Sequence, residues 1–331
     1  VEMARSGITS FNEHFDAYAV EPQIEALKEI PLRATLGYGF ADRGLYASIT
    51  DYSWKTINNF GNLAAQHHKT RDDLLRIALS PHAVYSCGEE MWRLVREVAD
   101  AQQVPIHTHL SEGMQEVEYC LETYGLRPVQ WLHSLGFLGP DVTAGHCSQL
   151  DATDIKLLAE TGTKIGHCPV CNAKLGSGTM PLRQVREAGI TVGLATDGPA
   201  SHNASDMFQE MKFAGLIHKT NTGDVEFLKI NELLEMSTYQ GALAMNRPDT
   251  GRLEIGAKAD VIVVNLDTAH AQPVYDPMSA LVYSTRADDV RHTIVNGQFI
   301  MENGRVLGVD EDLIRAKFHE KAHALKVRSL S

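Results

Sequence analysis

The run VPIHTHLSE at residues 104–112 decides the fold, because an apolar segment here ends directly in polar, ionisable residues. Its pattern predicts a strand over Val104–Leu110, and residues two apart on a strand face the same side. We therefore expect His107 and His109 to point the same way, with Glu112 just beyond the strand end. Imidazoles placed like this can bind a divalent metal ion, and a neighbouring carboxyl group can move protons. The alternative is a hydrogen-bonded histidine pair with a surface glutamate.

The same combination recurs along the chain, where short apolar runs alternate with helical patterns. It predicts repeated βα units, and in a (β/α)8 TIM-type barrel the strand ends meet on the face that carries the site. The predicted strands are Ile8–Asn12, Leu32–Tyr38, Leu75–Leu79, Val104–Leu110, Val142–Cys147, Lys164–Cys168 and Thr191–Thr196. The predicted helices are Ala17–Ile30, Glu89–Gln102, Met114–Leu135, Ala152–Thr161, Leu182–Ala188, Asp206–His218 and Ile230–Met245.

Five successive strands of this set end in an ionisable residue, in the order His82, His109, His146, His167 and Asp197. A single strand-end histidine is more often structural, and Asp197 alone could form an Asx turn or a helix cap before Pro199. Chance does not readily place histidine at four consecutive strand ends and aspartate at the fifth. An acid in such a place is costly unless it is paired or binds a metal. The order therefore favours a metal-dependent barrel enzyme.

Composition limits the class and setting of the protein. The 331 residues accommodate one barrel and a smaller domain, and a net charge of −12 argues against binding nucleic acid, whose phosphates need a basic surface. We see no apolar run of about 18 residues that would predict a membrane span. Residues 1–7 also lack the pattern of a signal peptide. Five scattered cysteines are typical of reduced thiols, which predicts a cytoplasmic protein.

The spacing Cys168-x-x-Cys171 is the one cysteine pattern that suggests chemistry. It is weak as a zinc motif, because no second pair completes four ligands. It is also weak as a redox pair, because we expect no helix to begin at the first cysteine. We interpret both cysteines as structural.

The sequence pattern changes after the last predicted barrel helix, from alternating strands and helices to short strand-like runs. Short apolar runs, including Val290–Val295 and Gln298–Met301, flank the turn Asn296-Gly297, which is a strong hairpin signal. A final amphipathic helix is predicted at Glu311–Leu325. We therefore divide the chain into a barrel at 1–248, part of a small β-sandwich domain at 249–308 and a terminal helix at 309–331.

Five longer motifs together resemble a known family. They are SPHAVYS at 80–86, HTHLSE at 107–112, GHC at 145–147, HCPVCNAKLGSG at 167–178 and TDGPASHN at 196–203. This set resembles the amidohydrolase superfamily over essentially the whole chain. Within it, the resemblance is greatest to the branch of methylthioadenosine/S-adenosylhomocysteine deaminases and atrazine-type chlorohydrolases.

The resemblance implies a role for each matching residue at the metal. His109 and Asp197 match metal ligands, and Asp197 also matches the general base. His146 matches the histidine that holds the metal-bound water or the metal itself. Glu112 matches the acid that shuttles a proton and contacts the substrate ring, whereas His107 resembles a position that is usually not a ligand.

Two further histidines are expected to contact substrate. His82 matches a substrate-contacting histidine of the family, and His167 ends the strand before the one that carries Asp197. The implied cofactor is one divalent metal ion, zinc by default with iron as the alternative. The implied partner is a small heterocyclic molecule rather than nucleic acid or membrane, and a homo-oligomer, dimer or higher, stays open.

The implied reaction is the hydrolytic deamination of a nitrogen heterocycle, which could be an adenosine derivative, a guanine- or pterin-like ring or a triazine. Metal-bound hydroxide would attack an sp² ring carbon, Asp197 would take the proton of the water, and Glu112 would protonate the ring nitrogen before ammonia leaves. One alternative within the family removes chloride or an alkylamine instead. An alternative of another class is a non-catalytic fragment.

The motivation for that last alternative is a strand count. Seven strands are predicted where a closed barrel has eight, and the family's first strand, with a His-x-His pair that binds metal, has no match in this sequence. We therefore expect the 331-residue chain by itself to bind metal weakly and to be inactive unless that segment is supplied. Metal analysis and activity assays test this, and full metal occupancy with turnover would contradict it.

Overall fold

The main sheet is parallel and follows the order of the sequence. The computed structural model describes residues 1–14, 20–47 and 54–329, and within these ranges seven strands pair side by side from first to last. They are β1 Ser10–Asn12, β2 Arg33–Phe40, β3 Leu75–Pro81, β4 Ile106–Leu110, β5 Val142–His146, β6 Lys164–His167 and β7 Val192–Leu194. Each corresponds to a predicted strand, so the barrel-type α/β sheet is confirmed.

A second sheet lies in the C-terminal part of the described chain and is antiparallel. Its four strands are β8 Val261–Val264, β9 Val290–Val295, β10 Gln298–Glu302 and β11 Arg305–Val306. The turn between β9 and β10 has φ of 51° at Asn296 and 78° at Gly297, so both turn residues are left-handed. That backbone fits the right-handed twist of a hairpin, and the predicted Asn-Gly turn is confirmed.

Sixteen α-helices occur in the described ranges, most of them between the strands. None of them combines the length and the apolar composition that crossing a membrane requires. They are α1 Glu2–Arg5, α2 Val20–Glu29, α3 Gly44–Ala47, α4 Trp54–His67, α5 Glu89–Gln102, α6 Met114–Tyr124, α7 Pro128–Ser134, α8 Ala152–Thr161, α9 Pro169–Leu175, α10 Leu182–Glu187, α11 Pro199–His202, α12 Met207–Thr222, α13 Ile230–Ser237, α14 Tyr239–Ala244, α15 Pro277–Tyr283 and α16 Glu311–Ser329.

Two long predicted helices are each two helices in the structure. The first, Met114–Leu135, is interrupted because Gly125 is left-handed with φ of 70° and ends α6, and Pro128 then begins α7. The second, Ile230–Met245, breaks at Thr238, whose φ of −125° and ψ of −95° are not helical. The glycine and proline signals were present in the first case and should have ended the helix there.

Other differences concern helix starts. A helix does begin immediately after Cys168, with Pro169 in its first turn, so the expectation of no helix at this cysteine was wrong. The proline explains it, because its fixed φ is favourable at the first helical position. The predicted helix Ala17–Ile30 is helical over Val20–Glu29 in the described part of the chain, and its first residues, 17–19, lie outside the described ranges, so its start is not compared.

A buried ion pair joins the two sheets. The Arg33 guanidinium, at the start of β2, donates to both carboxylate oxygens of Asp260, at 2.6 and 2.9 Å. The side chains are 0% and 2% exposed, and the backbone N–H of Asn296 donates to the same carboxylate at 2.8 Å. The barrel sheet is thereby tied to the hairpin of the second sheet.

This ion pair predicts a large loss of stability on Asp260→Ala. The substitution leaves the buried guanidinium of Arg33 without its carboxylate, which costs about 3–5 kcal/mol of unfolding free energy. The control is Glu89→Ala, which breaks an exposed pair with Arg93 and should cost less than about 1 kcal/mol. Chemical denaturation of the three proteins measures both values, and equal losses would contradict the assignment.

Candidate active site

The ends of adjacent strands carry the candidate residues to one edge of the sheet. In the register of β4 and β5, His109 pairs with Gly145 and Leu110 with His146. The backbone N–H of His109 donates to the carbonyl of His82 at 3.1 Å, which brings in the residue after β3. Because the pairing is parallel, these side chains lie next to one another rather than at opposite ends.

His109 stands at the centre of a cluster of imidazoles. Its ring centroid lies 4.9 Å from that of His82, 5.3 Å from that of His146 and 4.0 Å from that of His14. The ring of His107 is 4.8 Å from that of His14 as well. Ile106, Thr108 and Leu110 are the buried residues of β4, so both histidines face the other side of that strand, as their spacing predicts.

The imidazoles of the cluster are neutral at pH 7. Burial lowers the pKa of His82 to about 3 and the pKa values of His107 and His109 to about 4. Burial also lowers the pKa of His14 well below its ordinary value. Neutral imidazole is the form that binds a metal ion, so the cluster is prepared for one without losing protons.

His14 is a member of this cluster that the sequence interpretation missed. It follows β1, and the carbonyl of the preceding Glu13 lies 3.3 Å from Nδ1 of His107. The strand-end rule that selected the other histidines would have found it if applied to the predicted strand Ile8–Asn12.

Glu112 lies at the rim of the cluster, where its carboxyl group faces His146. The distance from Glu112 Oε2 to His146 Nε2 is 3.9 Å, and Ser177 Oγ is 3.4 Å from Glu112 Oε1. Burial raises the pKa of Glu112 above its ordinary value, and the negative charge of Asp197 adds to the increase. This carboxyl group therefore holds a proton more readily than a solvated glutamate does.

Glu116 fixes the loop that presents Glu112. Its buried carboxyl group accepts hydrogen bonds from the backbone N–H groups of Ser111, at 3.0 Å, and of Glu112, at 2.8 Å. Burial raises the pKa of Glu116 to about 7. Sequence reasoning missed this residue because its partners are backbone groups, which leave no side-chain pattern.

Asp197 differs from Glu112 in charge state. Burial acts to raise its pKa, but hydrogen bonds from the Cys171 thiol and from the Gly198 N–H outweigh that effect and lower the pKa below its ordinary value. The Sγ–Oδ2 distance is 2.8 Å and the N–Oδ1 distance is 2.5 Å. The contact at Oδ1 is to the adjacent residue, so it is neither the Asx turn nor the helix cap considered from the sequence, and Gly198 rather than Asp197 precedes α11.

The ring of His146 is oriented by Asn172 of α9. The Asn172 side-chain amide lies 3.1 Å from His146 Nδ1, and the amide oxygen has no partner in its buried position. Turning the amide by 180° exchanges its O and N, which satisfies that oxygen and lets it accept the Nδ1 proton. Nε2 of His146 then offers its lone pair toward Glu112 and the centre of the site.

Two of these candidate residues have left-handed backbones. The φ angle is 69° at His146 and 62° at Asp197, and neither residue is glycine. Such conformations cost of order 1–3 kcal/mol each and cluster at functional sites, where the surroundings hold them.

His167 and His82 occupy different surroundings. His167 is buried and its Nε2 lies 2.8 Å from Nε2 of His218 on α12, so one neutral ring donates to the other. His82 has Ser86 Oγ 2.8 Å from its Nδ1, and its ring meets that of Tyr85 edge-on. A role for either in contacting substrate stays a prediction.

The donor set fits a divalent metal ion. The nitrogen of His146, the sulfur of Cys171 and a carboxylate oxygen of Glu112 all lie within 4.8 Å of one another. Two imidazoles on one tetrahedral zinc ion have ring centres about 5 Å apart, and the rings of His109 and His146 are separated by 5.3 Å. Among the described residues the donors that fit an ion are thus Glu112, His146 and Cys171, with the His109 ring and Oδ2 of Asp197 directly beside them.

Comparison with known proteins gives one consistent assignment. The sequence profile of the Amidohydrolase family matches residues 1–300. A 5-methylthioadenosine/S-adenosylhomocysteine deaminase of Halobacterium salinarum is 37% identical over 331 residues, which cover 99% of this chain and 75% of that protein. A 5'-deoxyadenosine deaminase of Methanosarcina barkeri is 37% identical, with 99% of this chain and 74% of that protein covered.

Solved structures agree with these relatives. An adenosine deaminase of Xanthomonas campestris with bound zinc superposes with a TM-score of 0.92 at 30% identity, over 98% of this chain and 73% of that one. The zinc complex of an atrazine chlorohydrolase of Arthrobacter aurescens gives 0.86 at 27% identity, over 96% and 75%. With the parallel sheet and the strand-end residues described above, these matches show that the chain belongs to the amidohydrolase family.

Proposed function

We propose that the protein is a metal-dependent hydrolytic deaminase of a nitrogen heterocycle. The observation that carries the proposal is a pair of carboxyl groups whose surroundings move their pKa values apart, upward at Glu112 and downward at Asp197. Such a pair supplies an acid and a base in the same site at the same pH. Glu112 Oε2 lies 3.9 Å from Nε2 of His146, and the charge of Asp197 acts on the same imidazole.

Zinc is the metal ion we propose for the site, held by His109, His146 and Asp197. Catalytic zinc sites commonly have three protein ligands, and zinc supplies a water whose pKa is lowered from about 15.7 toward 7. The support is the neutral state of the imidazoles and the zinc found in similar structures. The resemblance alone implied weak metal binding and no activity; the proposal made here is the opposite expectation, and the assay below, run with zinc in excess, decides between the two.

The chain's own residues would share the proton transfers. Asp197, held as a carboxylate, takes a proton from the attacking water. Glu112, whose pKa is raised by burial, gives a proton to the ring nitrogen beside the carbon under attack. His146, which is near Glu112 and feels the charge of Asp197, would orient the water.

Adenosine derivatives are the substrate class we propose first. The support is the deaminases of this class that are 37% identical over nearly the whole chain. Removal of chloride or an alkylamine from a triazine is the second candidate, supported by similarity to the atrazine chlorohydrolase at 27% identity. We also place the protein in a reducing, cytoplasmic setting, which is supported by its five free cysteines.

The direct test is a release assay with zinc added in excess. The 331-residue chain is incubated with 5'-deoxyadenosine, methylthioadenosine, guanine, a pterin and atrazine, and both ammonia and chloride are measured. We expect ammonia from an adenosine derivative. Chloride from atrazine without ammonia from any purine would favour the second candidate, and no release from any compound would contradict both.

Substitution of the two carboxyl groups is expected to separate their roles. Glu112→Gln should lower kcat at least about 100-fold without changing the bound zinc, because it removes a proton donor but no ligand. Asp197→Asn should lower both kcat and zinc content. Glu122→Gln, on an exposed position of α6, is the matched control and should change neither. Loss of zinc in Glu112→Gln with retention in Asp197→Asn would reverse the assignment.

Removal of the metal provides a separate test. Dialysis against a strong chelator should reduce ammonia release to background, and added zinc should restore it, because the water is not activated without the ion. Circular dichroism before and after dialysis controls for unfolding. Full activity in a metal-free, folded sample would contradict a metal-dependent reaction.

A further inference from the structure

Cys171 is a buried thiol that the proposed reaction does not use, yet it contacts the proposed base. Its Sγ lies 2.8 Å from Oδ2 of Asp197, and the side chain is fully shielded from solvent. The same sulfur belongs to the group of donor atoms with Glu112 and His146. The thiol therefore faces the reacting centre rather than the packed exterior of the barrel.

The two oxygens of Asp197 have different partners. Oδ1 accepts the backbone N–H of Gly198, a contact within the same turn, whereas Oδ2 receives the thiol proton from another segment of the chain. A single contact within one turn restrains the plane of the carboxylate less than donors to both oxygens do. The second donor, from across the site, fixes that plane.

The element that carries Cys171 is itself anchored to the loop after β7. Lys174 Nζ donates to the carbonyl of Ala200 at 3.2 Å, and the N–H of Val170 donates to Glu210 of α12 at 3.4 Å. Glu210 Oε1 lies 3.0 Å from Nε2 of His202, in a pair with no exposed surface. The helix α9 and the segment with Asp197 are thus held at a constant separation.

The other cysteine of the motif is placed differently. Cys168 precedes α9 and its Sγ lies 3.7 Å from the carbonyl of Gly166, on the backbone of β6. Both thiols are free, so they do not form a disulfide with each other. The motif therefore contains one thiol against the backbone and one, Cys171, against a candidate ligand.

From these contacts we propose that Cys171 is a positioning residue, whose S–H donates to Oδ2 of Asp197 and holds that carboxylate in the orientation for binding the metal ion and accepting a proton. The inference rests on the proposed function and assigns the motif a role in it. Partners that orient a ligand in this way typically contribute 10- to 100-fold to metal affinity or activity. A thiol is a weak donor, so we expect the lower end of that range.

The test compares variants that keep or remove the donor. Cys171→Ala and the better-filling Cys171→Val should each lower kcat about tenfold and weaken zinc binding about tenfold, with KM changed less than about twofold. Cys171→Ser, which retains a hydroxyl donor, should restore both values to within about threefold of the natural protein. Cys120→Ala, which removes a buried thiol on α6, is the control and should change neither.

Zinc affinity is measured by competition with a chromophoric chelator and needs no substrate. If no protein of the set releases ammonia, the proposed function fails, but the zinc affinities still decide the role of Cys171. Equal zinc affinity in Cys171→Ala, Cys171→Val and the natural protein would overturn the inference. So would a Cys171→Ser protein as impaired as Cys171→Ala. Thermal unfolding of each variant excludes loss of the fold as the cause.

Discussion

Parallel pairing of consecutive strands is the constraint on which the rest of the described structure depends. Because β3 to β7 run in the same direction and in sequence order, the residue at the end of each strand meets the residue at the end of the next. The 3.1 Å hydrogen bond from His109 N–H to the carbonyl of His82 is one direct consequence. Residues separated by more than a hundred positions, such as His82 and Asp197, are thus brought to one edge of the sheet.

The position of a residue on that edge does not by itself determine its chemistry. The two carboxyl groups beside His146 differ because Asp197 receives two hydrogen bonds and Glu112 receives little beyond one distant hydroxyl contact. Burial acts to raise the pKa of both carboxyl groups. At Glu112 the pKa is raised, whereas at Asp197 the hydrogen-bond donors outweigh burial and the pKa is lowered. The proposed acid and base are therefore the same type of side chain, and their neighbours account for the difference in pKa.

The sequence predicted the elements that have a strong local signal. All seven parallel strands and the Asn-Gly hairpin of the described chain are present, because strand periodicity and turn chemistry are local properties. The helix Met114–Leu135 was wrong because apolar periodicity was given more weight than Gly125 and Pro128. Cys171 was interpreted as structural because its contact with Asp197 joins residues 26 apart, which no local sequence pattern shows. No local pattern predicts the contacts of Glu116 and Asn172, because the tertiary fold sets their partners. The left-handed backbone of His146 has no local signal either.

The proposed metal centre lies between the ends of β4, β5 and β7, where we expect His109, His146 and Asp197 to hold one ion. The most direct measurement is an anomalous difference map, recorded at the zinc edge, from crystals of the 331-residue chain grown with zinc. We expect a peak about 2.0–2.2 Å from an imidazole nitrogen of both histidines and from a carboxylate oxygen of Asp197. At saturating zinc, a map without a peak there, or with zinc bound only by other side chains, would contradict it.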